Sequence, residues 1–267
     1  MRTLRTARHQ QYMQQPPTDT LWLLHWSPDH FQLASLSARA DAVRLHHTAH
    51  FSTVVEGVGE LNRCWENADA NQTIHVSITD AYAVTLPETW HLGTETAYGY
   101  SAPLTEHFLQ ERIATWQVVQ GFAAPLVLHQ WLSQKFTAVQ YHSASALALN
   151  TYNGFSGTTQ ILLLAGPRQC SIIVKKEGQL QLCQTYVYTA PLDVAYYLLK
   201  IKEAINLPND LQVVLAGEAI TNRRLVTCIQ QYFPHTQLAV PPQRKLNAFD
   251  GTAPQLFHLL NLASCAS

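Results

Sequence analysis

Short apolar runs separated by turn residues begin near Leu21. Runs of this length, bounded by segments such as Ser27-Pro28-Asp29, predict strands joined by tight connections. The third run alternates, which places alternate side chains on opposite faces. The three runs are Leu21–Trp26, Phe31–Ser37 and Val43–Thr53, and the third has Val43, Leu45, His47, Ala49 and Phe51 on one face and Arg44, His46, Thr48 and His50 on the other. We therefore expect an antiparallel meander, preceded by a flexible, polar N-terminal arm over residues 1–20.

The remainder of the first half predicts helices and strands in mixed order. Pro125 suits the first turn of a helix, because its fixed φ angle is helical and its missing N–H would have no partner there. The predicted helices are Glu60–Asn67, Pro103–Arg112 and Pro125–Phe136, and the predicted strands are Thr73–Ile78, Tyr82–Leu86, Ala114–Gly121 and Ala138–Ser145.

The second half shows the same succession as the first, three strands and then helices and strands in alternation, and shows it more clearly. Three predicted strands are followed by a helix, a strand, a helix that ends at Pro234 and a last strand. These elements are Gln160–Ala165, Cys170–Lys176, Leu180–Tyr188, Pro191–Asn206, Gln212–Ala216, the helix after Thr221 and Thr236–Val240. Three strands extended by helix-linked strands are typical of a ribonuclease H-like sheet, and two such sheets in tandem form the actin-like ATPase architecture. We predict an α/β fold with a first lobe over 21–150, a second lobe over 151–245 and a C-terminal tail over 246–267.

Three segments carry a resemblance to a known family. They are the opening Leu-Trp-Leu-Leu-His-Trp at Leu21–Trp26, the Val-Thr-Leu-Pro-Glu segment at Val84–Glu88, and the succession of strand, aromatic helix and Val-Val-Leu-Ala-Gly-Glu that begins at Thr185. Over most of Leu21–Pro241 the chain resembles Domain of Unknown Function 3822, a family of uncharacterised bacterial proteins. The resemblance implies an actin-like fold and no established activity, so it transfers no functional residue.

Composition limits the possible partners and compartments. With 47% hydrophobic and 13% charged residues, the chain can bury a large core, and its net charge of −1 gives no overall attraction to nucleic acid. The densest basic groups, Arg2 with Arg5 and Arg8, and Arg223–Arg224, are small. Five scattered cysteines without a C-x-x-C pair are typical of a reducing cytoplasm. The apolar run Leu21–Trp26 is too short for a signal sequence or a membrane span.

An actin-like ATPase needs a carboxylate on the first strand of each lobe and turn amides that bind phosphate. Neither Leu21–Trp26 nor Gln160–Ala165 contains an acid, and a ribonuclease H-type nuclease would need one there as well. Asp29 lies in a turn, and Pro28 removes one amide from that turn. The matching turn of the second lobe is Gly166-Pro167-Arg168. These features predict a protein that is not an enzyme.

Three glycine-containing segments leave a nucleotide hypothesis open. Gly166 ends the first strand of the second lobe, and Gly217 lies where adenosine-binding members of the superfamily carry a pair of glycines. The segment Gly154–Thr159 resembles a phosphate loop but precedes a strand, whereas such loops follow one. These segments favour, at most, a weak nucleotide-binding switch without hydrolysis.

Thirteen histidines raise the possibility of a metal site. His46 and His50, on one face of a regular strand, would lie about 13 Å apart, which is too far to ligate one ion. Single histidines such as His107, His129 and His142 carry no ligand spacing. No Gly-x-Ser-x-Gly is present, and no histidine motif supports Cys64, Cys170 or Cys228 as a nucleophile. The sequence therefore assigns no catalytic, cofactor-binding or metal-ligating residue and implies no cofactor.

Two main hypotheses follow from the sequence, and a third, less favoured class is an RNA-associated protein, which would need a basic stripe on its surface. The first is a non-catalytic actin-like scaffold in the cytoplasm that binds a protein partner, rather than a membrane or nucleic acid, through its interlobe cleft or a sheet edge. The alternative is the weak nucleotide-binding switch that uses Gly166, Gly154–Thr159 and Gly217.

Overall fold

The computed structural model describes residues 20–37, 42–65, 72–80, 82–90, 105–152, 157–239, 245–246 and 255–266. The predicted arm lies outside these residues up to position 19. The strands of the first part are β1 Thr20–Ser27, β2 His30–Ser37, β3 Ala42–His50, β4 Thr73–Ile78, β5 Val84–Pro87, β6 Glu106–Ile113, β7 Val118–Pro125 and β8 Ala138–Ser143, with helices α1 Val54–Cys64, α2 Leu126–Lys135 and α3 Ala144–Tyr152. The later strands are β9 Gln160–Ala165, β10 Gln169–Lys176, β11 Gln179–Val187, β12 Gln212–Ala216, β13 Thr236–Leu238 and β14 Lys245–Leu246, with helices α4 Pro191–Ile205, α5 Arg223–Tyr232 and α6 Phe257–Cys265.

Two sheets share one strand order. In the first lobe the order is β3-β2-β1-β4-β8, extended at one edge by β14, and in the second it is β11-β10-β9-β12-β13. In each lobe the first three strands pair antiparallel, the fourth pairs parallel with the first, and the fifth pairs parallel with the fourth. This is the predicted pair of ribonuclease H-like lobes. A third, antiparallel sheet, β5-β7-β6, is inserted between β4 and β8.

Two helices, α3 and α6, lie between the sheets of the two lobes. One face of the first sheet packs with α1 and α2, and one face of the second sheet packs with α4 and α5. The inner faces pack on α3 and α6: Leu147 and Leu259 lie against the first sheet, whereas Leu149 and Phe257 lie against the second. The predicted tail over 246–267 thus contains a buried helix that belongs to the core between the lobes.

A β-bulge changes the predicted faces of β3. The pairing with β2 shifts between Leu33 and Ala34, which face His47 and Leu45. The extra residue, His46, reverses the alternation beyond it. Val43 and Leu45 therefore pack with α6, and Phe51 packs in the cluster on the opposite side of the sheet, so the prediction of one common apolar face was wrong.

Several predicted elements are corrected by tertiary pairing and by capping. The helix predicted over Pro103–Arg112 is strand β6 over its described part, because all eight residues of β6 pair with β7. Helix α1 begins at Val54 and not at Glu60, since the Thr53 side chain accepts the Glu56 N–H and caps the helix. Helix α5 is capped by Asn222, one residue after the expected Thr221. Helices α3 and α6 were not predicted.

Among the described residues, none of the helices is long and apolar enough to cross a membrane.

Candidate functional site

Turns from both lobes meet at one junction, which is the candidate functional site. The β1–β2 turn, centred on Asp29, comes from the first lobe, and the residues after β12, Gly217 and Glu218, come from the second. The β9–β10 turn, with Gly166 and Arg168, occupies in the second lobe the position that the β1–β2 turn has in the first. The Phe51 N–H donates to the Asp29 carbonyl (3.0 Å), so the end of β3 holds the β1–β2 turn in place.

His30 bridges the two lobes. Its side chain is buried, with 2% of the residue exposed. Nδ1 lies 3.0 Å from Asp29 Oδ1, and Nε2 lies 2.7 Å from Glu218 Oε2. The contact with Glu218 is poorly aligned as a hydrogen bond, and we therefore describe it as an ion pair. A doubly protonated imidazole between two carboxylates satisfies both acids at once.

The ion pairs shift the pKa values of all three groups. Burial by itself lowers the pKa of His30, but the carboxylates of Asp29 and Glu218 outweigh burial and raise it to about 9. Burial likewise raises the pKa of each carboxyl, and the contacts with His30 reverse this, so the pKa of Asp29 and that of Glu218 are both lowered. The charged form of the cluster is therefore the stable one near neutral pH.

Two weaker contacts surround this bridge. His50 Nε2 lies 3.3 Å from Glu218 Oε1, and its side chain is 62% exposed. Arg168 Nε lies 3.9 Å from Asp29 Oδ2 and is also exposed. Exposed ion pairs of this kind contribute about 0–1 kcal/mol each, so the buried contacts of His30 are the stronger ones among the ion pairs described at this junction.

Two further histidines, His25 and His258, lie next to His30. The rings of His25, on β1, and His258, on α6, stack with centroids 4.2 Å apart and an angle of 11°. Both residues are buried. The pKa of His258 is lowered to about 4, by burial first and then by the charge of His30, and the pKa of His25 is lowered by burial and by its two histidine neighbours. This pair is neutral where His30 is charged.

The space left at the junction is small. It is lined by His25, His30, His258, Gly166, Gln169 and Glu218, among others, and its volume is about 20 Å³. That volume holds about one water molecule and is far smaller than a nucleotide.

The β9–β10 turn is fixed by hydrogen bonds of its own. The Gly166 N–H donates to the Gln169 carbonyl (2.9 Å), and the Tyr188 hydroxyl donates to the Gly166 carbonyl. A phosphate would have to displace Gln169 from the Gly166 amide. Gly217 lies against Ala165 at the end of β9, so both glycines of the nucleotide hypothesis are at the junction, whereas residues 154–156 lie outside the described residues.

The histidines considered from the sequence are dispersed. His46 contacts the Trp22 ring and lies 2.6 Å from Ser35 Oγ, while His50 contacts His30, so the bulge puts these two histidines on opposite faces of the sheet. His107 stacks on His129, and His142 Nδ1 lies 3.0 Å from Glu111. In the described ranges, no three His, Cys, Asp or Glu residues are arranged to hold a metal ion.

The five cysteines lie outside the junction. Burial raises the pKa of Cys170 to about 12 and that of Cys64 to about 11, and no cysteine lines the junction. Sequence reasoning missed His25, His30, Glu218 and His258 as a group. One part of the group could have been found from the sequence, because His25 and His30 lie on either side of the first turn. His258 and Glu218 are distant in sequence and gave no such signal.

Solved structures place this fold in a known class. A protein of Bacteroides thetaiotaomicron, described as having an actin-like ATPase fold and unknown function, superposes with a TM-score of 0.77 at 12% identity, over 92% of this chain and 96% of that chain. A chain of the PilM–PilN type IV pilus biogenesis complex superposes with a TM-score of 0.62 at 11% identity, over 94% and 99% of the two chains. The chain thus has the actin-like ATPase fold, and identities this low show the fold alone.

The family follows from the sequence match. The family model described as "Protein of unknown function (DUF3822)" matches residues 72–236, which is more than half of the chain. The protein belongs to this family, as the resemblance predicted. No curated protein matches the chain.

Proposed function

We propose that this protein is a non-catalytic actin-like scaffold that binds a protein partner and does not hydrolyse ATP. The observation that carries the proposal is the closed junction. Asp29, His30 and Glu218 join the two lobes where a nucleotide would separate them, and the enclosed space is about 20 Å³.

The first strand of each lobe supports the absence of hydrolysis. Neither β1 nor β9 contains an acid that could hold a metal-bound water. Asp29 lies in the turn directly after β1, and it is engaged by His30 and by the Ser27 hydroxyl, which donates to it at 3.2 Å. Pro28 and Pro167 each remove an amide from the turns that would otherwise bind phosphate.

Exposed apolar side chains support a protein partner. On helix α4, Leu192, Tyr196 and Leu199 recur at helical spacing and are 59%, 55% and 37% exposed. Tyrosine is enriched at protein interfaces, and an exposed apolar patch is typical of a surface that binds another protein. One structure that shares the fold was solved as the PilM–PilN complex, which is compatible with this use of the fold. Five unpaired thiols fit a reducing cytoplasm.

A second candidate is a nucleotide-binding switch that acts only after the junction opens. It is favoured by one observation: Gly166 and Gly217 both lie at the junction, where their backbones would face a phosphate if the lobes separated.

Calorimetric titration with Mg·ATP, together with a phosphate-release assay, separates these functions. The scaffold predicts no binding up to millimolar ATP, no phosphate release and no increase in Tm across a nucleotide panel, because a ligand that binds the native state must stabilise it. Binding with turnover would refute the scaffold. Binding without turnover would favour the switch. In that case the Gly166→Val variant should lose nucleotide binding.

A further inference from the structure

The junction contains two histidine sites with opposite proton requirements. His30 needs its proton to pair with Asp29 and Glu218. The stacked pair, His25 and His258, has no carboxylate within ion-pair distance among the described residues, and burial of two rings 4.2 Å apart favours their neutral form. A rise in pH therefore disfavours the contacts of His30, whereas a fall in pH disfavours the His25–His258 stack.

The groups that face His30 come from every element around it. Asp29 lies on the same turn, Glu218 follows β12, His50 ends β3 and Arg168 lies on the β9–β10 turn. The His25 ring lies 5.8 Å from the His30 ring. The two carboxylates carry the charge that holds the His30 proton, and acidification leaves that proton in place until the carboxylates themselves titrate.

The stacked pair has a different environment. His25 Nδ1 lies 3.3 Å from Ser77 Oγ on β4, and His258 Nδ1 has no hydrogen-bond partner among the described residues. The charged groups that face the pair are His30 and, more weakly, Glu218. A proton added to either ring would place a second cation beside His30 in a buried site.

Separation of the turns would relieve this repulsion. His25 and His258 line the small cavity together with Gly166 and Gln169 of the second lobe. Moving the second lobe away admits water to both imidazoles, which then gain protons at ordinary pKa values near 6.5. Each histidine that is neutral in the closed form favours opening by up to about tenfold for every pH unit between this value and its lower pKa in the closed form.

We propose that the junction is a pH latch: the neutral His25–His258 stack and the charged Asp29–His30–Glu218 bridge hold the turns together near neutral pH, and acidification opens the cleft at this end. The latch goes beyond the scaffold proposal, because it applies whether or not a nucleotide or a protein enters the opened cleft.

Hydrogen exchange and small-angle scattering of the full chain, at pH values from 7.5 to 4.5 with exchange rates corrected for intrinsic chemistry, test the latch. We expect backbone amides around Ser27–His30 and Gly166–Gln169 to lose protection at least tenfold below pH 6, with an increase in radius of gyration and unchanged far-UV circular dichroism. Constant protection over this range, or loss of protection only together with global unfolding, would overturn the proposal.

The variant His258→Phe keeps an aromatic ring against His25 but cannot take a proton. It should stay closed to a pH at least half a unit lower than the wild type, whereas the control His107→Phe, which removes a histidine from the separate His107–His129 stack, should open at the wild-type pH. If His258→Phe does not fold, His25→Phe tests the same pair. An opening pH that is identical in the wild type and in the folded variant contradicts the latch.

Discussion

Gly217 lies so close to Ala165 that a Cβ atom on the glycine would be 2.6 Å from the Ala165 carbonyl oxygen. The turn after β12 therefore rests directly on the end of β9. Gly217 also has φ = +99°, a conformation that side-chain-bearing residues rarely adopt. The next residue is Glu218, and the close approach of these two backbones brings its carboxylate to His30.

The substitution Gly217→Ala should destabilise the protein. Strain in this region of positive φ and extended ψ, which is almost confined to glycine, costs about 1–3 kcal/mol, and the contact with Ala165 adds to this. Urea denaturation at pH 7 should show a loss of at least 1 kcal/mol in the free energy of unfolding. A variant as stable as the wild type would show that the turn can move away from β9 at little cost.

Two glycines on helix α1 should respond in opposite ways to alanine. A Cβ at Gly57 would lie 2.7 Å from atoms of Phe51 and Trp26, whereas a Cβ at Gly59 would meet no atom within 4 Å. We expect Gly59→Ala to stabilise by about 0.5–1 kcal/mol through helix propensity, and Gly57→Ala to destabilise by about 1–3 kcal/mol through overpacking. Thermal denaturation of both variants measures this. Equal shifts in Tm would show that α1 does not lie on these rings.

Stability should fall at alkaline pH because His30 loses its proton. Its pKa is about 9 in the folded protein and near 6.5 when unfolded, so its contribution is complete below about pH 6.5 and is lost as the pH rises through 9. The shift corresponds to up to about 3 kcal/mol.

Urea denaturation of the wild type and of His30→Gln from pH 6.5 to 10 tests this contribution. The variant should be less stable at pH 6.5, and the difference should narrow towards pH 10. The control His50→Gln removes an exposed partner of Glu218 and should change stability by less than about 1 kcal/mol. A difference between the wild type and His30→Gln that stays constant with pH would contradict the charged bridge.

The two buried cysteines of the second lobe should resist thiol reagents. Cys170 and Cys183 are buried in the core, and burial raises their pKa values to about 12 and about 11. In the native protein at pH 8, mass spectrometry after brief labelling should find both unmodified, with all five cysteines modified in urea. Fast modification of Cys170 in the native state would show that the second sheet opens readily.

Local pattern predicted most of the elements. The strands Thr73–Ile78, Gln160–Ala165 and Gln212–Ala216 match their predicted bounds, because an apolar run between turn residues is a local signal. Helix α1 was placed too late, although Thr53 and Glu56 have the spacing of a capping box. Strand β6 was predicted as a helix because its Leu, Gln, Glu and Arg residues favour helices, and pairing with β7 outweighs that preference.

The candidate site was less predictable than the fold. The sequence excluded an acid from the first strand of each lobe, and it drew attention to Asp29, Gly166 and Gly217, which do lie at the junction. It gave no reason to join His30 to Glu218 or His25 to His258. The bulge at His46 could not be predicted either, since it depends on the register between β2 and β3.

The sequence by itself therefore determined the repeated strand and helix order and the lack of first-strand acids, because both are properties of short segments. Only the tertiary structure decided that α6 lies between the lobes, that His30 is charged, and that His25 and His258 are neutral. The physical reason is that the pKa of a buried histidine depends on its neighbours in space, and one such neighbour of each site, Glu218 for His30 and His258 for His25, is more than 180 residues away along the chain.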